Sequence, residues 1–187
     1  MPHTATLACH PQTGAYAVQG IDAHVIWAEN AALALTYALK GDLTGLRIPP
    51  AGPPRIADRL WQHTCFEVFI VVKGQPTYYE FNFSPSGEWA AYAFRGYRDG
   101  EWIEDDGLRP EIVVRSAASI FELEALVRLD RFLAIKPQVA LGLGLSAVIE
   151  ENDGTISYWA LKHPPGKPDF HHPDSFALEL ALPDKSA

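Results

Sequence analysis

The sequence predicts an all-β chain: an antiparallel two-sheet sandwich or barrel of about ten strands. Apolar residues recur with a period of two from end to end, while helical spacing is scarce. Gly, Pro, Asn and Asp turn signals separate the alternating runs. The 187 residues, 48% hydrophobic and 20% charged, fit a single domain spanning 1–187 with one core.

In the segment 31–40, Leu33, Leu35, Tyr37 and Leu39 share one face, and Gly41-Asp42 ends the run. Residues 47–57 carry Pro49, Pro50, Gly52, Pro53 and Pro54, which remove backbone donors and fix φ, so a loop is expected there. From Leu60 to Val72 the chain reads LWQHTCFEVFIVV, a strand whose second half is apolar on both faces and therefore central in a covered sheet. Lys73-Gly74-Gln75-Pro76 turns it around. The return strand 78–83 places Tyr79, Phe81 and Phe83 on one face and Tyr78, Glu80 and Asn82 on the other, which makes a hairpin. After the turn Ser84-Pro85-Ser86-Gly87, residues 89–94 supply a third strand. Further strands are expected at 111–115, 120–129, 138–149, 156–161 and 175–181, and residues 129–135 also suit a short helix. The proline-rich stretch 163–173 is a loop that folds back over the body of the domain.

Charge and composition remove several function classes. A net charge of -8, with no clustering of Lys and Arg, opposes a nucleic-acid partner or an anionic membrane surface. The start Met1-Pro2-His3-Thr4 lacks a signal-peptide pattern and no apolar run is long enough to span a bilayer, so a soluble, cytoplasmic protein is expected. Two cysteines, Cys9 and Cys65, cannot build a disulfide framework or a four-thiolate zinc site, and free thiols are expected. His63, His163, His171 and His172, with Glu67 or Asp169, are the conceivable metal ligands, but none shows a recognised metal spacing and no metal is predicted. Neither a G-x-S-x-G elbow, a P-loop nor a dinucleotide fingerprint occurs.

The residues that could carry chemistry cluster on the strand from Leu60. Alternation places Trp61, His63, Cys65 and Glu67 on one side, and the hairpin would bring Glu80 and Asn82 to the same face. Trp159, with His163 beyond it, is a second flat surface. Rings that cover C–H patches, beside carboxylates, amides and imidazoles that pair with hydroxyls, suit a hydrogen-bonding ligand. The alternative for each aromatic, Trp89 and Tyr92 included, is core packing. For Glu67 it is a buried carboxylate that only ties the sheet together.

The run from Leu60 to Ile70, followed by Tyr79-Glu80-Phe81-Asn82-Phe83-Ser84-Pro85-Ser86-Gly87, resembles family 9 carbohydrate-binding modules and the DOMON-like superfamily. Lys40-Gly41-Asp42-Leu43, Leu46-Arg47-Ile48-Pro49, Tyr158-Trp159-Ala160-Leu161 and Pro168-Asp169-Phe170-His171 are similar to the bacterial DOMON-like subgroup. The resemblance implies an immunoglobulin-like, jelly-roll-like antiparallel β-sandwich whose relatives bind sugars or haem in a pocket on one sheet. It also implies Trp61 and Trp159 as sugar-stacking groups. Haem-binding relatives use a Met and a His as axial ligands; the only methionine here is Met1, so haem is not predicted and no cofactor is expected. The expected function is a stand-alone binding module for a carbohydrate or similar polyhydroxylated small molecule, with Trp61 and Trp159 as platforms and His63, Glu67, Glu80, Asn82 and His163 as polar contacts. The rival readings are a small enzyme acting on a sugar or cell-wall precursor, with His63 and Glu67 as acid and base, a protein-interaction domain, and a haem-binding DOMON domain, which would need two histidines on the iron.

Overall fold

A computed structural model describes residues 2–132 and 140–181. Thirteen strands form in chain order: β1 (His3–Cys9), β2 (Val18–Ala28), β3 (Ala32–Gly41), β4 (Arg55–Ile56), β5 (Cys65–Val72), β6 (Tyr78–Phe83) and β7 (Glu88–Gly96), then β8 (Asp99–Trp102), β9 (Glu111–Ala117), β10 (Ile120–Arg128), β11 (Leu141–Glu150), β12 (Ile156–Ala160) and β13 (Leu178–Leu180). Between them lie only turns, 3-10 turns and irregular segments, so among the described residues the chain is all-β.

Hydrogen bonding runs along one path, β4-β7-β6-β5-β11-β12-β1-β2-β3-β10-β9, with β13 added to β11 and β8 to β7. Strand β1 joins the two arms of that path. Its residues His3 to Leu7 pair with Val25 to Ile21 of β2, whereas Ala8 and Cys9 pair with Ala160 and Trp159 of β12. The path curls into a half-barrel, and the inner faces of the two arms share one core. Leu33, Leu35, Tyr37 and Leu39 of β3 enter that core from one side, and Phe66, Val68, Ile70 and Val72 of β5 enter from the other. The Phe66 ring lies 5.2 Å from that of Tyr37 and 6.0 Å from that of Phe121 on β10. Tyr37 crosses the core to donate its hydroxyl to the Glu67 carbonyl oxygen at 2.6 Å, so one arm fixes the backbone of the other at Glu67.

Four strands carry little sequence signal. In β1 only Leu7 is buried, so its alternation has almost no apolar contrast. In β2 the register shifts between Val18 and Gly20, which breaks the period of two at the start of the strand. Strand β4 is a two-residue parallel pairing inside the expected proline-rich loop, and β8 is exposed throughout. The expected strand from Leu60 begins only at Cys65, because Leu60–Gln62 forms a 3-10 turn. The strand expected at 175–181 shortens to β13, since Pro173–Ser175 is also a 3-10 turn. Of the helix weighed over 129–135, residues 129–132 form a turn closed by the Phe132 N–H on the Leu129 carbonyl, and the remainder lies outside the described residues.

The β2 bulge depends on Gly41. A Cβ there would sit 2.1 Å from the Ala17 carbonyl oxygen, the same oxygen that accepts the Asp42 N–H at 2.8 Å. The atoms it would meet belong to the backbone of Ala17 and Val18, so none can rotate away. Gly41→Ala is expected to lower stability by roughly 1–3 kcal/mol in chemical denaturation, through overpacking and loss of that hydrogen bond.

Candidate functional site

Strand β5 is buried on both sides. With Phe66, Val68, Ile70 and Val72 directed into the core, Cys65, Glu67, Phe69 and Val71 occupy the outer face. Register then sets their neighbours. Glu67 stands opposite Asn82 on β6 and Ser146 on β11; one step along, Phe69 stands opposite Glu80 and Gly144, and Glu80 opposite Tyr92 on β7. Two carboxylates, Glu67 and Glu80, are therefore diagonal neighbours on one face.

The segment 163–177 covers that face. A Cβ on Gly144 would lie 3.0 Å from Phe176 Cδ1 and 3.2 Å from the Ser175 carbonyl oxygen, so glycine in β11 permits the close approach of the cover. His171 wedges the cover in place: its ring centroid is 5.1 Å from that of Phe69 and 5.0 Å from that of Phe94, and its Nδ1 is 3.0 Å from the Tyr78 hydroxyl. Asp169 anchors it from the rim, accepting from the Tyr97 hydroxyl at 2.7 Å, Arg98 Nη2 at 2.8 Å and the His171 N–H at 3.1 Å.

Between cover and sheet lies a cavity of about 470 Å³, within the usual range for small-molecule sites. Glu67, Phe69, Glu80, Tyr92 and Phe94 line it from the sheet, with Val148 and Tyr158 beside them. Phe170, His171, Pro168 and Lys167 line it from the cover, and Arg98 from the turn after β7. Trp61 joins from the 3-10 turn before β5 and is 47% exposed. Arg59 adopts a left-handed backbone (φ 58) just before that turn, which buries Leu60 and leaves the next side chain, Trp61, at the surface. A second hollow of about 490 Å³ lies on the other side of His171, against Val71, Tyr78 and Phe176, but its acid, Glu179, is exposed and paired with Lys73. Only the first holds buried carboxylates.

Those carboxylates are nearly inaccessible, at 2% for Glu67 and 5% for Glu80. Burial, then the charge of Glu80, raises the Glu67 carboxyl well above the ordinary range, against the opposing hydrogen bond from Ser146. Burial likewise pushes Glu80 up to about 7, opposed by its hydrogen bond from Asn82 and by the charge of Arg98. His171 moves the other way: burial and nearby Arg98 push it down to about 4, against the pull of Asp169. It is therefore a neutral imidazole at pH 7. The Tyr78 hydroxyl already accepts the Arg98 N–H at 3.1 Å, and donating its own proton to His171 Nδ1 satisfies both groups. That assignment leaves the His171 proton on Nε2, 3.8 Å from Glu80 Oε2.

Of the residues expected at the site, the structure brings Trp61, Glu67 and Glu80 to the cavity, with Asn82 directly behind, its Nδ2 donating to Glu80 Oε1 at 2.9 Å. The other three lie elsewhere. Trp159 points into the shared core and donates its indole N–H to Ser157 Oγ at 3.0 Å, and its neighbour Tyr158 takes the cavity side. His63 precedes the strand proper and is 67% exposed, with Nδ1 2.7 Å from Glu150 Oε2; it does not meet Glu67 as an acid–base pair. His163 Nε2 is 2.8 Å from the Ala8 carbonyl oxygen, and its ring lies edge-on to His10. His171 is the histidine that lines the cavity, so the site brings no two histidines together, and no group of three or more His, Cys, Asp and Glu side chains suited to a metal ion occurs among the described residues.

No family model and no curated protein matches the chain. Solved structures do resemble it in fold. A candidate carbohydrate-binding protein from Bacteroides uniformis superimposes with a TM-score of 0.71 at 14% identity, covering 97% of this chain and 86% of its own. A family 9 carbohydrate-binding module from Caldicellulosiruptor kristjanssonii, solved with glucose, gives a TM-score of 0.54 at 12% identity over 98% of this chain and 85% of its own. The same module with cellotriose gives 0.55 at 12% identity over 97% and 85%.

Proposed function

We propose that this chain is a carbohydrate-binding module of the DOMON-like, family 9 type. Its two arms of strands form an immunoglobulin-like sandwich, and a sugar sits in the cavity between the outer face of β5–β7 and the cover 163–177. The carrying observation is that cavity: aromatic walls from Trp61, Tyr92, Tyr158 and Phe170 around buried Glu67 and Glu80. Rings pack against the C–H faces of a pyranose, and carboxylates accept its hydroxyl protons. The fold-level likeness to modules solved with glucose and cellotriose supports the same reading. Trp61 is the platform at the mouth, with Glu67, Glu80 and, through Glu80, Asn82 as the polar floor.

The test is calorimetric titration with glucose, xylose, cellobiose, cellotriose and their amino and N-acetyl derivatives. At least one is expected to bind in the micromolar to millimolar range with 1:1 stoichiometry. Trp61→Ala should weaken that binding by about ten-fold, the size of one aromatic stacking contact, and leave the unfolding midpoint close to wild type because the side chain is half exposed. A panel with no heat and no change in tryptophan fluorescence would overturn the reading.

A further inference from the structure

We infer that the cavity selects sugars carrying a protonated amine over neutral sugars, with the ammonium group seated on the floor between Glu67 and Glu80. This rests on the sugar-site reading and narrows it to a ligand class. The floor is rich in acceptors and poor in free donors. Glu67 accepts one hydrogen bond among the described residues, from Ser146 Oγ to Oε2 at 3.1 Å, so its Oε1 is without one. Glu80 accepts one, from Asn82 to Oε1, while His171 Nε2 stands 3.8 Å from its Oε2, beyond hydrogen-bond range. Behind them, the buried Asn82 Oδ1 has no partner among the described residues.

The nearby donors are already committed. Ser146 Oγ serves Glu67, Asn82 Nδ2 serves Glu80, and the Tyr92 hydroxyl donates to Asp58 at 2.8 Å. Arg98, the charged neighbour from the β7–β8 turn, pairs with Asp169. Lys167 lines the cavity from the cover and is exposed. Tyr78 and Cys65 face the same region as neutral groups, with Cys65 held protonated by burial. A hydroxyl both donates and accepts, so it would bring a lone pair to a floor that already has unpaired acceptors. An ammonium brings three donors and no acceptor. It also supplies the positive charge that two buried carboxylates lack, and the surrounding Trp61, Tyr92 and Tyr158 faces favour a cation. The raised affinities of both carboxyls for protons answer the same deficit; an ammonium ligand would displace those protons.

The full chain is titrated at pH 7 with glucosamine, galactosamine, mannosamine and 6-amino-6-deoxyglucose, each against its neutral parent and, for the 2-amino sugars, the N-acetyl derivative. At least one amino sugar is expected to bind ten-fold or more tightly than its parent. Its binding should release protons, seen as a heat that changes with the buffer's ionisation enthalpy. In Glu80→Gln the ratio of the two affinities should collapse towards one. If neutral parents bind as tightly as every amine, the inference is overturned while the sugar site stands. If no sugar of any kind binds, both fall together.

Discussion

Phe66→Ala is expected to lower the unfolding free energy by about 3–5 kcal/mol, the range for deleting a fully buried aromatic ring. The Phe66 side chain is fully buried between the two arms, against the rings of Tyr37 and Phe121, so its deletion leaves a cavity in the packed seam. The loss should reach the site as well as the core. Phe66 lies between Cys65 and Glu67 on β5, and the Glu67 carbonyl is held by the Tyr37 hydroxyl across the same contact. Urea denaturation of Phe66→Ala, followed by a sugar titration under conditions where it remains folded, should report both effects. A loss under 1 kcal/mol would mean the two arms do not depend on one packed seam.

Glu67→Gln should act in the opposite sense on stability and function. A carboxyl whose affinity for protons is raised by folding stabilises the folded state most at pH values below its unfolded range near 4.5, and that contribution is lost as pH rises through its folded value. Glu67 and Glu80 both carry this sign, so their contribution falls as pH rises from about 4.5, for Glu80 through about pH 7, with Glu67, also raised well above its ordinary range, adding to the same fall. His171 has the reverse sign, because its proton affinity is lowered on folding: stability gained as pH rises from about 4 to 6.5 offsets the carboxylates in that lower window only. Removing the Glu67 charge should flatten the decline above pH 6.5 and leave stability at pH 8 equal to wild type or about 1–2 kcal/mol higher. Sugar affinity should drop by about ten-fold or more, the scale of lost hydrogen bonds to a charged group. Thermal melts across pH for both proteins decide it. A wild-type profile that rises above pH 6.5 would contradict the buried, uncompensated pair.

Much of this architecture was legible in alternation, because β3, β5, β6 and β10 each have one apolar face set against a contrasting one or a continuous apolar run, as in Phe121, Leu123, Ala125 and Val127. The hairpin β5–β6 likewise followed from its turn residues, and it carried Glu67, Glu80 and Asn82 to one face. Trp159 illustrates the limit. Strand β12 is flanked on both sides, so Tyr158 and Trp159 are both largely covered, and alternation separates them without saying which faces the core. The strand period that sets His63 beside Glu67 in the sequence does not reach it in the fold, because the residues before it, Leu60–Gln62, form a 3-10 turn. Phe170, Arg98 and Lys167 reach the site from loops, and loop geometry has no periodic signature; the Pro-rich cover could be anticipated, but not its contacts. Gly142 and Gly144 were the available hint, since paired glycines within a strand mark a surface that another segment approaches closely.

The claim on which the rest depends is that ligand enters between the cover and the outer face of β5–β7. Backbone and tryptophan side-chain NMR shifts, followed during titration with the tightest-binding sugar of the panel, test it directly. Saturable shifts are expected at Trp61, Glu67, Glu80, Tyr92, Tyr158 and Phe170, with the Trp159 indole and His63 unmoved. Shifts centred on Trp159, on His63 or on the exposed strands β8 and β9, with the cavity residues silent, would contradict it.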